Sequence, residues 1–236
     1  MRREIAGYPA ELVRLLLEAD SPAHAVGRTL EIWTVADLDR YVDARALLRA
    51  DDPPDPPYWA LPWIGARAIA AKLLTTPPAT TTRVLEIGCG LGLAGVAAGL
   101  GGAHVLFTDY VPEALAFARA NAEHHGLRSL DTRVIDFTSD RLGERFDLVI
   151  AADVVYEPMS YEPLVEFLSA HTAPGGRVLL TESLRADTKR VLTMLIERGF
   201  SLVTEAVWVP EDGKLERTWL HDLSRAASSA APRLSG

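Results

Sequence analysis

Arg83-Val84-Leu85-Glu86-Ile87-Gly88-Cys89-Gly90-Leu91-Gly92 passes from a short β run straight into glycine at every second position. The small apolar residues from Leu93 to Gly99 follow at once, so the order strand, tight turn, helix is predicted. Glycine lets a backbone turn sharply and approach a ligand that any side chain would exclude. The helix N-terminus adds unpaired N–H groups that favour a carboxylate or phosphate. Glycine also punctuates ordinary turns, so the loop alone does not separate a binding turn from a plain one.

The alternation continues downstream. Ala103 to Thr108 reads as the next strand, and Pro112 to His124 as a helix with proline at its permitted N-terminal place. Thr132 to Ile135 is a third strand, and Asp147 to Ala152 a fourth, nearly all apolar as a strand buried on both faces should be. A helix around Leu164 to Ala170 leads through Gly175-Gly176 into the strand Arg177 to Thr181. The helix from Ala186 to Arg198 is stopped by Gly199. Leu202 to Val209 and Leu215 to Leu220 read as two strands joined at Glu211-Asp212-Gly213. Repeated alternation predicts an α/β fold with a parallel sheet and right-handed crossovers, to which the closing pair adds one antiparallel strand.

Upstream, residues 1–57 end in the proline cluster Pro53-Pro54-Asp55-Pro56-Pro57. Leu12, Val13, Leu15, Leu16 and Leu17 predict one helix opened by Pro9; Leu38, Tyr41, Val42 and Leu47-Leu48 predict a second after Asp37. This small helical extension would lie over the domain of residues 58–221 as a lid or packing layer, or be attached loosely. Residues 222–236, rich in Ser and Ala, read as a disordered tail.

Composition narrows the classes. The 236 residues are 48% hydrophobic and 24% charged, which suits one domain with a full core. A net charge of -8 opposes a phosphate backbone, so no nucleic acid partner is expected. The start Met1-Arg2-Arg3-Glu4 leads into a stretch carrying Glu11, Arg14 and Glu18, unlike a secretory signal. No apolar run approaches the ~20 residues that span a bilayer, and the chain reads as cytoplasmic with no membrane partner. Cys89 is the sole cysteine, which excludes an internal disulfide and a cysteine-based zinc site; the six histidines show no metal-ligand spacing.

Asp109 closes the second strand about 20 residues after the loop, where an acid accepts hydrogen bonds from ribose hydroxyls. The same carboxylate suits capping of the helix that starts near Pro112. Loop and acid together point to an adenosine-type ligand. Gly90-Leu91-Gly92-Leu93-Ala94-Gly95 also satisfies the dinucleotide pattern, which would make NAD the ligand and an oxidoreductase the function. Two features oppose this. The glycines begin at Gly88, two residues early, and Glu86 would repel a pyrophosphate but attract the amino group of a methionine moiety. The residues favour S-adenosylmethionine.

Val84 to Gly92 resembles motif I of class I S-adenosylmethionine methyltransferases, which share a Rossmann-like, seven-stranded, mostly parallel sheet with helices on both faces. Pro57-Tyr58-Trp59-Ala60-Leu61-Pro62-Trp63 resembles the aromatic segment before that motif in one subgroup. Ala152-Asp153-Val154-Val155-Tyr156-Glu157 resembles its Asp-x-x-Tyr signature after the fourth strand. That subgroup is the family-16 type protein lysine methyltransferases, which act on electron transfer flavoprotein, chaperones or elongation factors and have bacterial relatives. The resemblance implies that Gly88, Gly90 and Gly92 line the methionine part of the cofactor, with Glu86 nearby and Cys89 offering its backbone. It implies Asp109 on the ribose, Tyr110 against the adenine, and Asp136 and Phe137 reading the adenine amino group and ring. For that pair a polar–aromatic turn is the alternative. Trp63 would approach the cofactor from the preceding helix, or serve as a core tryptophan.

Asp153 and Tyr156 leave the fourth strand at its C-terminal end, where open α/β sheets place substrate. They would orient and desolvate a lysine amine of a protein substrate, Asp153 by charge and Tyr156 by hydroxyl or ring; an Asp capping a loop over a packed Tyr is the alternative. Glu182, ending the fifth strand, is a further candidate wall. A small-molecule methyltransferase on the same fold, an NAD-binding oxidoreductase and a non-catalytic binding module remain as rival functions.

Overall fold

The computed structural model describes residues 1–17, 28–41, 57–155, 157–182 and 188–227. The N-terminal segment corrects the sequence expectation. Strands β1 (Arg2–Ile5), β2 (Tyr8–Leu16) and β3 (Thr29–Val35) form an antiparallel three-stranded sheet, where a helical extension was expected. The run Leu12 to Leu16 lies inside β2. An almost continuous apolar run has no clear period, so it suits a strand as well as a helix. The local decision comes from Ala6-Gly7, both at positive φ (50° and 83°), which folds β1 back on β2 as a two-residue hairpin. Of the second expected helix, a 3-10 turn at Leu38–Tyr41 is described. Val42, Leu47, Leu48 and prolines 53, 54 and 56 lie outside the described residues.

A second 3-10 turn, Tyr58–Ala60, leads into α1 (Ile64–Thr75) and then β4 (Arg83–Ile87). There follow α2 (Leu93–Leu100), β5 (His104–Asp109), α3 (Pro112–His124), β6 (Leu130–Val134) and β7 (Phe146–Ala152). The chain closes with α4 (Tyr161–His171), β8 (Thr172–Glu182), α5 (Thr188–Glu197), β9 (Phe200–Glu211) and β10 (Lys214–Arg225). The strand order is β6-β5-β4-β7-β8-β10-β9, and β10 runs antiparallel to both its neighbours. This is the expected Rossmann-like, mostly parallel seven-stranded sheet. β10 continues through Arg225, so the first residues of the expected tail are sheet; residues 228–236 lie outside the description.

Alternation along the strands assigns each side chain to a layer. Val84, Val105, Ile150 and Leu179 lie in one cluster with residues of α1, α2 and α3. Leu85, Leu106, Val149 and Leu180 lie in the other with residues of α4 and α5. Ile5, Ala10, Ile32 and Trp33 of the N-terminal sheet join the first cluster. The sheet is built outward from β4 in two directions, toward β5 and toward β7. The strand order therefore reverses at β4 and β7, and a crevice at such a switch point is where this architecture binds ligands.

Candidate active site

The glycine loop emerges at that crevice. Gly88, Gly90 and Gly92 have φ of 55°, 50° and 74°, a left-handed conformation that side chains resist. At Gly90 space is also closed: a Cβ would lie 2.8 Å from the carbonyl oxygen of Trp59. The aromatic segment before α1 thus packs directly on the loop.

Asp109 closes a tight turn just ahead of the next helix, and it also holds the loop. Its Oδ2 accepts the Gly90 N–H at 2.9 Å, and its Oδ1 accepts the Val111 N–H at 3.0 Å at the start of α3. The side chain thereby ties the glycine turn to the end of β5. Each oxygen keeps a second lone pair, so a ribose hydroxyl can still be accepted. The residue is 4% exposed, and burial pushes its carboxyl pKa up. Tyr110 follows with 59% of its surface exposed, at the lip of the crevice.

Glu86 is not where the sequence argument aimed it. Position 86 alternates onto the face covered by α1 to α3, and the side chain is 1% exposed. Its Oε2 accepts the Gly95 N–H at 3.0 Å, within the first turn of α2. Burial pushes its pKa up to about 8, so at neutral pH most of it is uncharged. It supports the helix behind the loop instead of presenting charge to a ligand. The electrostatic preference for a methionine amino group therefore loses its basis.

Cys89 is buried, its N–H donates to Thr108 O at 3.0 Å, and burial raises its thiol pKa well above the ordinary value. Asp136 is exposed, and its Oδ1 accepts both the N–H and the hydroxyl of Thr138 at 2.8 and 2.6 Å. Phe137 is half-buried, 6.4 Å from the Phe167 ring of α4. Ile135 N–H bonds to Asp109 O at 2.9 Å and keeps this turn beside β5, while Phe137 packs on the α4 layer. Trp63 is not a core residue. It precedes α1, is 37% exposed, and donates its Nε1–H to Tyr58 O at 2.8 Å.

Asp153 follows β7 directly, at φ 54°. Its Oδ2 accepts the Gly65 N–H at 2.9 Å in the first turn of α1, while Oδ1 is buried without a hydrogen-bond partner. Burial, opposed by that bond and reinforced by the charge of Glu182, pushes its pKa up to about 6. Tyr156 lies outside the described residues. Glu182 ends β8 on the same edge, with His221 Nε2 3.8 Å from its Oε1.

Two residues escaped the sequence reading. A Cβ on Gly65 would collide with Thr181 Oγ1 and the Asp153 carboxylate, so this glycine lets α1 approach the ends of β7 and β8. A glycine in the first turn after Trp63 was the available signal. Asn121 is fully buried on α3 among Phe117, Ala118 and Ala122; an amide on an apolar helix face was the signal there. No group of three or more His, Cys, Asp or Glu able to hold a metal occurs among the described residues, and no described helix is long and apolar enough to cross a membrane.

Residues 63–198 match the protein family described as lysine methyltransferase. The chain is 33% identical over 134 residues to the electron transfer flavoprotein beta subunit lysine methyltransferase of Xenopus laevis, covering 56% of this chain and 54% of that protein. It is 32% identical over 172 residues to the Danio rerio protein of the same name, covering 66% of each. The chain thus spans between about half and two thirds of the length of these relatives. Among solved structures, the ribosomal protein L11 methylase of Lactobacillus delbrueckii subsp. bulgaricus aligns with a TM-score of 0.56 at 20% identity, over 70% of this chain and 81% of that one. That likeness speaks for the fold alone.

Proposed function

The chain belongs to the lysine methyltransferase family, and from that premise we propose that it moves the methyl group of S-adenosylmethionine to the side-chain amine of a lysine in a protein substrate. The cofactor follows from family and fold, and the crevice fits it. Three left-handed glycines hold the backbone open to a ligand, and Asp109 at the end of β5 retains acceptor capacity for a ribose hydroxyl. Gly88, Gly90 and Gly92 would line the methionine part, and Tyr110 would lie against the adenine.

Bound there, S-adenosylmethionine supplies a methyl already activated on a sulfonium, so the protein mainly has to align and desolvate the acceptor. A free lysine amine has a pKa of about 10.4, so its ammonium must release a proton to solvent water before the nitrogen can attack. Asp153 would attract the incoming ammonium by charge and orient its nitrogen. Tyr156 would hold the amine through its hydroxyl or ring. The observation that carries this reading is the position of Asp153. It stands at the switch-point end of β7 with one oxygen anchoring α1 and the other unpaired.

The test is a cell lysate incubated with methyl-tritiated cofactor, with and without the protein, followed by mass spectrometry. Label should appear on lysine in one or a few proteins. Asp153→Ala and Tyr156→Phe should bind cofactor nearly as wild type yet lose about 10²–10⁴ in transfer rate. Label confined to small molecules would make this a small-molecule methyltransferase on the same fold.

A further inference from the structure

Asn121 makes three hydrogen bonds with a side chain that is wholly inaccessible. Its Oδ1 accepts the Trp33 N–H at 2.6 Å, and its Nδ2 donates to Trp33 O at 3.1 Å and to Leu91 O at 2.9 Å. The amide therefore pairs with the backbone of β3 as a neighbouring strand would, and its second N–H holds the glycine loop. Leu91 lies between Gly90 and Gly92, both in the left-handed region. A second path joins the same two parts. Thr34 Oγ1 donates to Ala60 O at 3.1 Å, and the neighbouring Trp59 carbonyl packs on Gly90. The Trp59 ring in turn sits between Tyr8 of β2 and Phe117 of α3, at centroid distances of 5.5 and 5.3 Å.

A loop with glycine at every second position has more conformational freedom to lose than one of side-chain-bearing residues, and ordering it on binding weakens affinity. A contact that orders it beforehand strengthens binding without touching the ligand. We propose that Asn121 is a positioning residue for the cofactor, fastening Leu91 to β3 so that the N-terminal sheet is a working part of the cofactor site. Replacing the amide leaves the carbonyls of Trp33 and Leu91 buried and without that donor, and it frees the loop.

The proposal rests on the cofactor assignment, and S-adenosylhomocysteine is the probe. Calorimetry on the full chain should show Asn121→Leu and Asn121→Asp binding it about ten- to a hundredfold more weakly than wild type. If Asn121→Leu does not fold, Asn121→Ser takes its place. In the wild type, S-adenosylhomocysteine should also slow hydrogen exchange at the Trp33 amide, because coupling between two sites is reciprocal. Without ligand, exchange at the Gly90 and Gly92 amides should be faster in the variants than in wild type. Folded variants that bind within about twofold of wild type, or a Trp33 amide indifferent to a bound ligand, overturn the proposal. Should the wild type not bind S-adenosylhomocysteine, the cofactor assignment falls, and the ligand-free exchange still decides whether Asn121 orders the loop.

Discussion

Replacing Glu86 with glutamine removes one proton-binding group and changes little in shape. In the unfolded chain this carboxyl titrates near 4.5, and in the folded chain burial moves it to about 8. Below pH 4.5 both states carry the proton and stability is unaffected by it. Between 4.5 and about 8 the unfolded state ionises while the folded state stays protonated, so stability falls as pH rises, by about 1.4 kcal/mol per pH unit. Above about 8 both are ionised and the loss is complete, on the order of 5 kcal/mol. That upper figure is comparable with the total stability of many domains. Glutamine keeps an oxygen for the Gly95 N–H and has nothing to titrate. Urea unfolding at pH 5, 7 and 9 should therefore show a Glu86→Gln advantage that grows with pH and levels off above about 8. Parallel stability curves across that range would refute the burial argument. A large loss of cofactor affinity in the same variant would restore the view that Glu86 serves the ligand through its charge.

Gly90→Val should abolish S-adenosylhomocysteine binding in calorimetry, since a side chain there meets the Trp59 carbonyl and resists a φ of 50°; normal binding would mean the loop faces elsewhere. Asp109→Ala should weaken binding about ten- to a hundredfold and also lower stability by about 1–3 kcal/mol in urea, because the Gly90 and Val111 N–H groups lose their acceptor. An affinity unchanged in folded protein would leave Asp109 a residue that only ties the turn to the loop. Asp153→Asn should gain stability from about pH 4 upward, reaching up to about 3 kcal/mol above pH 6, because the raised carboxyl pKa makes the ionised aspartate the burden. The same variant should lose methyl transfer; a variant of unchanged stability at pH 8 would contradict the burial of that group. Cys89 should react with a thiol reagent at pH 8 at least a hundredfold more slowly than in urea-unfolded protein, on the order expected for a buried, protonated thiol.

Much of this molecule was legible one segment at a time. The strand Arg83–Ile87, the turn behind it and the helix from Leu93 follow from local rules: glycine where φ must be positive, small apolar residues where a helix lies under a sheet. The helix Pro112–His124 carries its own start signal. The position of Asp109 at the end of β5 follows from counting along the chain. The turn of the last hairpin follows from its Asp212-Gly213 pair, both at positive φ, which joins β9 to β10.

Other features were settled only when distant segments met. The apolar run Leu12 to Leu16 is a strand because β3, further along the chain, supplies its backbone partners; alone it suits either structure. Glu86 is buried against the first turn of α2 because α1 to α3 cover the face onto which its place in β4 turns it. Asp153 acquires one partner from Gly65, 88 residues earlier in the chain, and the same separation divides Asn121 from Trp33. Sequence alone determined the elements whose geometry is dictated by their own residues: the glycine turn, the alternating buried strands, and helices started by Pro112 or stopped by Gly199. The tertiary structure decided which edge pairs with which, which face is covered, and which polar groups find a partner, because each of those depends on atoms brought together from far apart in the chain.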